Sequence, residues 1–177
     1  MQSKVLLNMV LAHVFVVLLL FATVVWPAQC PALSQEGLTD QQIGVLHKAF
    51  QAGQVRDMSY SLAAIAWKES SGGRYLVNLQ DPSAGVFMVS IDNAISYIKW
   101  KNTPFNRNRV AQLLIEDFEL AAEFAMLNLQ FWKDQYGENW RLIWRRYNGG
   151  YSDSGASKAY SKDIARKVKT FTLCNWK

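Results

Sequence analysis

Leu62, Ile65, Ala66 and Glu69 fall at i, i+3, i+4 and i+7, so a helix through them places a carboxylate on the same face as three apolar residues. Desolvation on such a face raises the carboxyl pKa. A carboxyl still protonated near neutrality is what a general acid needs in order to give a proton to a leaving oxygen. Gly72-Gly73 then ends the helix, so Glu69 is expected at the mouth of a cleft. A helix-end Glu that is solvated or paired with Arg74 is the plainer alternative. Asp81 is the nearest candidate for a second acid, and a glycosidase of the usual kind needs two. Asp81 also precedes Pro82, where Asp is favoured as a turn residue.

Other chemistries find little material. Two Cys and two His, His13 and His47, do not make a four-ligand zinc site, and neither a metal nor a cofactor is expected. His47 lies on a predicted core-packing helix, which leaves no partner for a Ser-His-Asp arrangement, and no phosphate-binding loop is visible.

Trp67-Lys68-Glu69-Ser70-Ser71, then Ser83-Ala84-Gly85-Val86-Phe87-Met88, then Tyr147-Asn148-Gly149-Gly150 resemble, in order and spacing, three motifs of the soluble lytic transglycosylase domain. The resemblance spans roughly residues 38 to 170. It implies a mainly α, lysozyme-like fold of the goose-type class, acting on the β-1,4 bond between N-acetylmuramic acid and N-acetylglucosamine in peptidoglycan. Glu69 is then the catalytic acid and base, and the product is a 1,6-anhydromuramoyl end formed without water. Ser70, Tyr147, Asn148 and Met88 carry over by position as substrate-side residues, Ser70 with a loop-supporting role. Tyr160 matches a later family tyrosine in looser register. Two positions depart from the pattern. Met88 stands where the family has Gln, and Arg146 replaces a small residue before the motif tyrosine.

Goose-type lysozymes carry extra carboxylates in the loop that holds Asp81, so hydrolysis by a muramidase is the alternative chemistry. A peptidoglycan-binding or assembly protein on a degenerate site is a second alternative, and a membrane-anchored structural subunit a third. Trp67, Trp100, Trp132, Trp140 and Trp144 offer flat surfaces for sugar rings, although core packing is the ordinary use of such residues. Trp140 and Trp144, one turn apart, are expected to pack the last helices together. Arg141, Arg145 and Arg146 read as a solvated helix face.

These residues need a scaffold, and the chain supplies one domain's worth. It has 177 residues, of which 50% are hydrophobic and 19% charged, a balance that excludes a disordered chain. The net charge of +5 suits an anionic polymer or membrane surface but does not call for nucleic acid. A monomer is expected, with glycan strands as the partner. Thr39 and Gln42 form a capping box for a helix carrying Ile43, Leu46, Ala49 and Phe50 and ending at Gly53. Asp57 is placed to cap the helix that runs to Ser70. Residues 74–90 lose helical periodicity, with a turn at Asp81-Pro82-Ser83 and a short extended segment from Gly85 to Val89. Helices are expected at about 91–101, 108–115, 117–136, 138–147 and 156–170, the long one carrying Leu120, Phe124, Leu127 and Phe131.

Residues 1–34 read as an export segment and 35–177 as the catalytic domain. From Val5 to Trp26 the chain carries no formal charge over about 22 residues, roughly 33 Å as a helix, enough to cross a bilayer. Lys4 before it, and Ala32-Leu33-Ser34 after it, equally fit a cleaved secretory signal. Either way the domain is exported to the periplasm, soluble after cleavage or held at the membrane by residues 5–26. Cys30 and Cys174 bracket the soluble part; an oxidising compartment permits their pairing, provided that Cys30 survives processing.

Overall fold

Thr39 opens the first long helix as its sequence requires: its hydroxyl accepts from Gln42 N, while Gln42 Oε1 accepts from Thr39 N at 2.9 Å. The structure, a computed structural model, describes residues 30–176; the apolar run at 5–26 and His13 lie outside them. Ahead of Thr39 comes a short helix, α1 (Pro31–Gln35). Then follow α2 (Asp40–Gly53), a 3₁₀ turn (Gln54–Arg56) and α3 (Ser59–Ser70). Three two-residue strands come next, β1 (Val77–Asn78), β2 (Ser83–Ala84) and β3 (Val89–Ser90). The remainder is helical: α4 (Ile91–Ile98), α5 (Pro104–Glu116), α6 (Phe118–Tyr136), α7 (Trp140–Gly149) and α8 (Gly155–Phe171). The class is mainly α with a small antiparallel sheet of order β1-β2-β3, pairing Val77 with Ala84 and Ala84 with Val89.

α3 is the centre of the molecule. Every residue from Ser61 to Trp67 is buried, so this helix is apolar on all sides rather than on one stripe. Ala63, Ala64 and Ala66 let the neighbouring helices approach closely, and full burial of side chains such as Leu62 and Ile65 contributes about 1.5–3 kcal/mol each. Trp144 of α7 reaches into this core and donates from Nε1 to the Ser61 hydroxyl at 3.0 Å, tying α7 to α3. Its ring lies 6.1 Å from that of Trp140, as the i, i+4 spacing requires.

Four local expectations are corrected. Asp57 does not cap α3: it sits in the left-handed region (φ 56°) at the end of the 3₁₀ turn, and Met58 takes the N-cap position without a side-chain bond. Of the segment Gly85 to Val89, only Val89 belongs to a strand. Gly85 (φ 80°) and Met88 (φ 45°) both bend it, so residues 85–88 form the turn between β2 and β3. α5 begins at Pro104, with the Thr103 hydroxyl accepting from Asn106 N, because Pro at the first helical position needs no N–H partner. On α6 the expected Phe124 is buried and Leu120 and Leu127 pack half-buried against the core, but Phe131 is 45% exposed and Ala121, Ala125, Leu129 and Trp132 complete the buried side in its place.

Cys30 and Cys174 form a disulfide that joins the start of α1 to the tail after α8. Leu33 in α1 is completely buried, so the folded unit begins ahead of the boundary drawn at residue 35, and a cut near Ser34 would fall inside a packed helix.

Candidate functional site

The end of α3 is fixed from three directions, and Glu69 is the residue this fixes. Ser71 adopts the left-handed conformation that stops the helix (φ 53°), and Gly72 follows at φ 67°. The fully buried Ser70 hydroxyl donates to Ala66 O at 2.9 Å and accepts from Gly73 N at 2.8 Å. Gln42, beyond its part in the capping box, donates from Nε2 to Ser71 O at 2.6 Å. Ser70 thus supports the loop and does not reach the cleft.

Glu69 opens into a cleft of about 250 Å³ that lies between the sheet and helices α6 and α7. Burial pushes its carboxyl up from 4.5 to about 7, against the opposing effects of a Tyr160 hydrogen bond and the Lys68 ammonium, while the Asp81 carboxylate adds to the rise. Tyr160 Oη donates to Glu69 Oε1 at 2.6 Å. The looser of the two tyrosine assignments therefore supplies the direct contact. Arg74, the alternative partner, makes none: its guanidinium lies 5.4 Å from the Tyr75 ring, and Lys68 is drawn away to Asp163 at 3.0 Å.

Tyr147 lines the same cleft, but its hydroxyl donates to Phe87 O at 2.9 Å, fastening α7 to the turn between β2 and β3. Burial raises the phenol of each tyrosine well above its ordinary range, and the neighbouring Glu69 charge raises it further. Both stay protonated donors. Met88 and Asn148 are also in the wall, Met88 with its Sδ 3.8 Å from the Ser83 hydroxyl. Asp81 lines the cleft. In the turn at Asp81 the backbone bonds expected of Asp81's own side chain are made by Asn78 instead, whose Oδ1 accepts from the N–H groups of Gln80 and Asp81.

The arginine group is corrected in part. Arg141 is exposed, but the Arg146 side chain is only 11% exposed and lines the cleft; it bridges Asp153 at 3.2 Å and donates to the carbonyls of Gly150 and Ser152. It braces the glycine turn after Asn148. Of the tryptophans offered for sugar stacking, Trp132 lines the cleft. Trp67 is in the core, edge-on to Phe171.

Sequence reasoning missed the amides. Asn78, Asn93 and Asn128 line the cleft together with Asn148, and Ser83 and Ser90 add hydroxyls. Asn128, a polar residue between Leu127 and Leu129 on a core-facing helix, was the one local signal available. The assembled wall can hold a chain of hydroxyl and amide groups against one carboxyl that is half-protonated near neutrality. No family model, no curated protein and no solved structure matches this chain.

Proposed function

We propose that the protein is a peptidoglycan lytic transglycosylase on a lysozyme-like fold, with Glu69 as its acid and base. The observation that carries this reading is Glu69 itself, a carboxyl titrating at about 7 at the end of a fixed helix, facing a polar cleft. Its proton passes to the glycosidic oxygen as the bond to the anomeric carbon breaks. The muramoyl 6-hydroxyl then attacks that carbon and returns its proton to Glu69, closing the 1,6-anhydro ring and restoring the acid. No second carboxylate is consumed. Tyr160 orients the carboxyl through both steps, and Tyr147 and Met88 shape the wall beside it. Peptidoglycan lies outside the inner membrane, and two features agree with delivery there: the uncharged run from Val5 to Trp26, and the disulfide, which an oxidising compartment preserves. Cell-wall lysis or local wall opening is the corresponding role, with the domain acting as a monomer on glycan strands.

Asp81 supports a second reading. It shares the cleft with Glu69, and in this reading it activates a water, as a goose-type muramidase requires. Mass spectrometry of fragments released from purified peptidoglycan by the full-length protein, beside its Glu69→Gln variant, separates the possibilities. Anhydromuramoyl ends that vanish in the variant are expected. Reducing ends one water heavier mean hydrolysis, and no fragments from the folded wild type mean a binding protein, a reading to which Met88 and Arg146 lend the departures noted above.

A further inference from the structure

We infer that Asn128, Trp132 and Tyr151 form a subsite that reads the acetamido group of a hexosamine ring, an inference that rests on the glycan reading of the cleft. Asn128 and Trp132 are one helical turn apart on α6, and both line the cleft. The Asn128 side-chain amide makes no hydrogen bond to any described residue. It is only partly exposed, flanked in sequence by the buried Leu129 and followed one turn later by the buried Trp132. Asn is a poor helix former, about 0.5 kcal/mol or more below Leu or Ala, and its amide, with no partner among the described residues, is left facing the solvent of the cleft. On the helix that packs against α3, a small apolar residue would serve the fold better. The amide is therefore oriented for something that enters the cleft.

Trp132 supplies the apolar half. Its ring is held by Tyr136, stacked at 6.1 Å, and by Phe131, edge-on at 4.8 Å. Tyr151 stands edge-on to the same indole at 5.0 Å and is 72% exposed, directly after Gly150 at the cleft wall. An exposed aromatic continuous with a polar cleft presents a flat face to the C–H side of a sugar ring. An amide one turn away from the indole can donate to and accept from an acetamido group in the same ring plane, as Asn does with any planar amide. The occupant is an N-acetylated hexosamine unit of a β-1,4 glycan, not a neutral unsubstituted hexose.

The test measures binding rather than cleavage. Full-length protein carrying Glu69→Gln is titrated with β-1,4 N-acetylglucosamine oligomers and with the same oligomers after de-N-acetylation, at pH 8 and matched length. The parent should prefer the acetylated chain. Adding Asn128→Ala should weaken that chain about three- to tenfold, the worth of a neutral hydrogen bond, and abolish the preference. Asn128→Ser, which keeps a small polar side chain on the helix, should fall between. Tyr151→Ala, at an exposed position where the fold is not at stake, should weaken both oligomers by a similar factor. An unchanged preference in the folded Asn128 variants, or unchanged affinity in Tyr151→Ala, overturns the subsite. The two proposals fail separately. Fragment release abolished by Glu69→Gln together with an unchanged preference in Asn128→Ala removes the subsite and leaves the lyase, whereas discriminating binding without any fragments keeps the subsite and removes the lyase.

Discussion

Tyr160 Oη donates to Glu69 Oε1 at 2.6 Å and joins α8 to the end of α3 across 91 residues of sequence. The bond opposes burial: desolvation raises the Glu69 carboxyl, and the Tyr160 hydroxyl lowers it by favouring the charged form. Removing the hydroxyl with Tyr160→Phe leaves burial in place, so the carboxyl should titrate above about 7. Because an acid must be protonated to act, the alkaline limb of the rate profile should move to higher pH as the maximal rate falls, through lost orientation, by about tenfold. Fragment release followed from pH 5 to 9 measures both. A limb that stays put or moves down would remove Tyr160 from this role.

The same carboxyl links stability to pH. Its folded pKa of about 7 lies above the ordinary 4.5, so the folded state binds the proton more tightly than the unfolded chain does. The corresponding stability is complete below pH 4.5 and is lost as pH rises through 7. Two and a half pH units correspond to about 3 kcal/mol as an upper figure. Glu69→Gln, neutral at every pH, should therefore be more stable than wild type at pH 8, by about 1–3 kcal/mol, and nearly equal to it at pH 4. Urea titrations at the two values decide this. A variant whose advantage over wild type is no greater at pH 8 than at pH 4 would mean that the carboxylate is solvated.

Ser61 and Trp144 carry a prediction about how the site is held. The Trp144 indole is 7% exposed, and its N–H has the Ser61 hydroxyl as its acceptor. Ser61→Ala leaves that donor buried and unpaired, which costs about 1–3 kcal/mol. Since Trp144 belongs to the helix that carries Tyr147, and Ser61 to the helix that carries Glu69, activity should fall faster with temperature than in wild type. Thermal unfolding alongside activity at two temperatures tests it, and an unshifted midpoint would show that the bond contributes nothing net.

Gly85 marks a place where the turn between β2 and β3 cannot accept a side chain. At φ 80° its backbone passes against α5, and an added Cβ would meet the Leu114 carbonyl oxygen well inside van der Waals contact. Backbone is not a flexible obstacle. Gly85→Ala should cost about 3 kcal/mol or more through strain and displacement of the turn that carries Phe87 and Met88. Chemical denaturation measures the loss, and a near-neutral substitution would mean that α5 yields.

What the sequence makes legible follows the range of each interaction. The capping box of Thr39 and Gln42 and the stop after Ser70 are written in adjacent residues, and both are where local rules place them. Asp57 fails as a cap because the 3₁₀ turn claims it first, a preference that only the packing of Gly53 against Met58 and Ser59 explains. Periodicity finds α6 and its buried Phe124, but that Phe131 turns outward and Asn128 reaches the cleft is decided by packing against helices distant in sequence. Glu69 could be read from its own helix. Its hydrogen bond to Tyr160 could not, since nothing local joins positions 91 residues apart.

Pairing of Cys30 with Cys174, which the sequence permits on the condition that Cys30 is retained, gives the last prediction. The bridge spans 144 residues, and in the chain-entropy model a loop of that size restricts the unfolded state by about 5 kcal/mol. It closes beside an aromatic group in which Trp176 meets Phe50 at 5.6 Å, Phe171 at 5.1 Å and His47 at 5.2 Å. Cys174→Ser, or reduction of the wild type, should lower stability by about 2–5 kcal/mol while leaving Glu69 and Tyr160 in place, so activity at low temperature should survive. The position of Ser34 inside α1 sharpens the expectation. A protease site introduced after Ser34 should, once cut, leave the amino-terminal piece attached until reductant is added. Separation of the two pieces on a non-reducing gel would show that the bridge does not form.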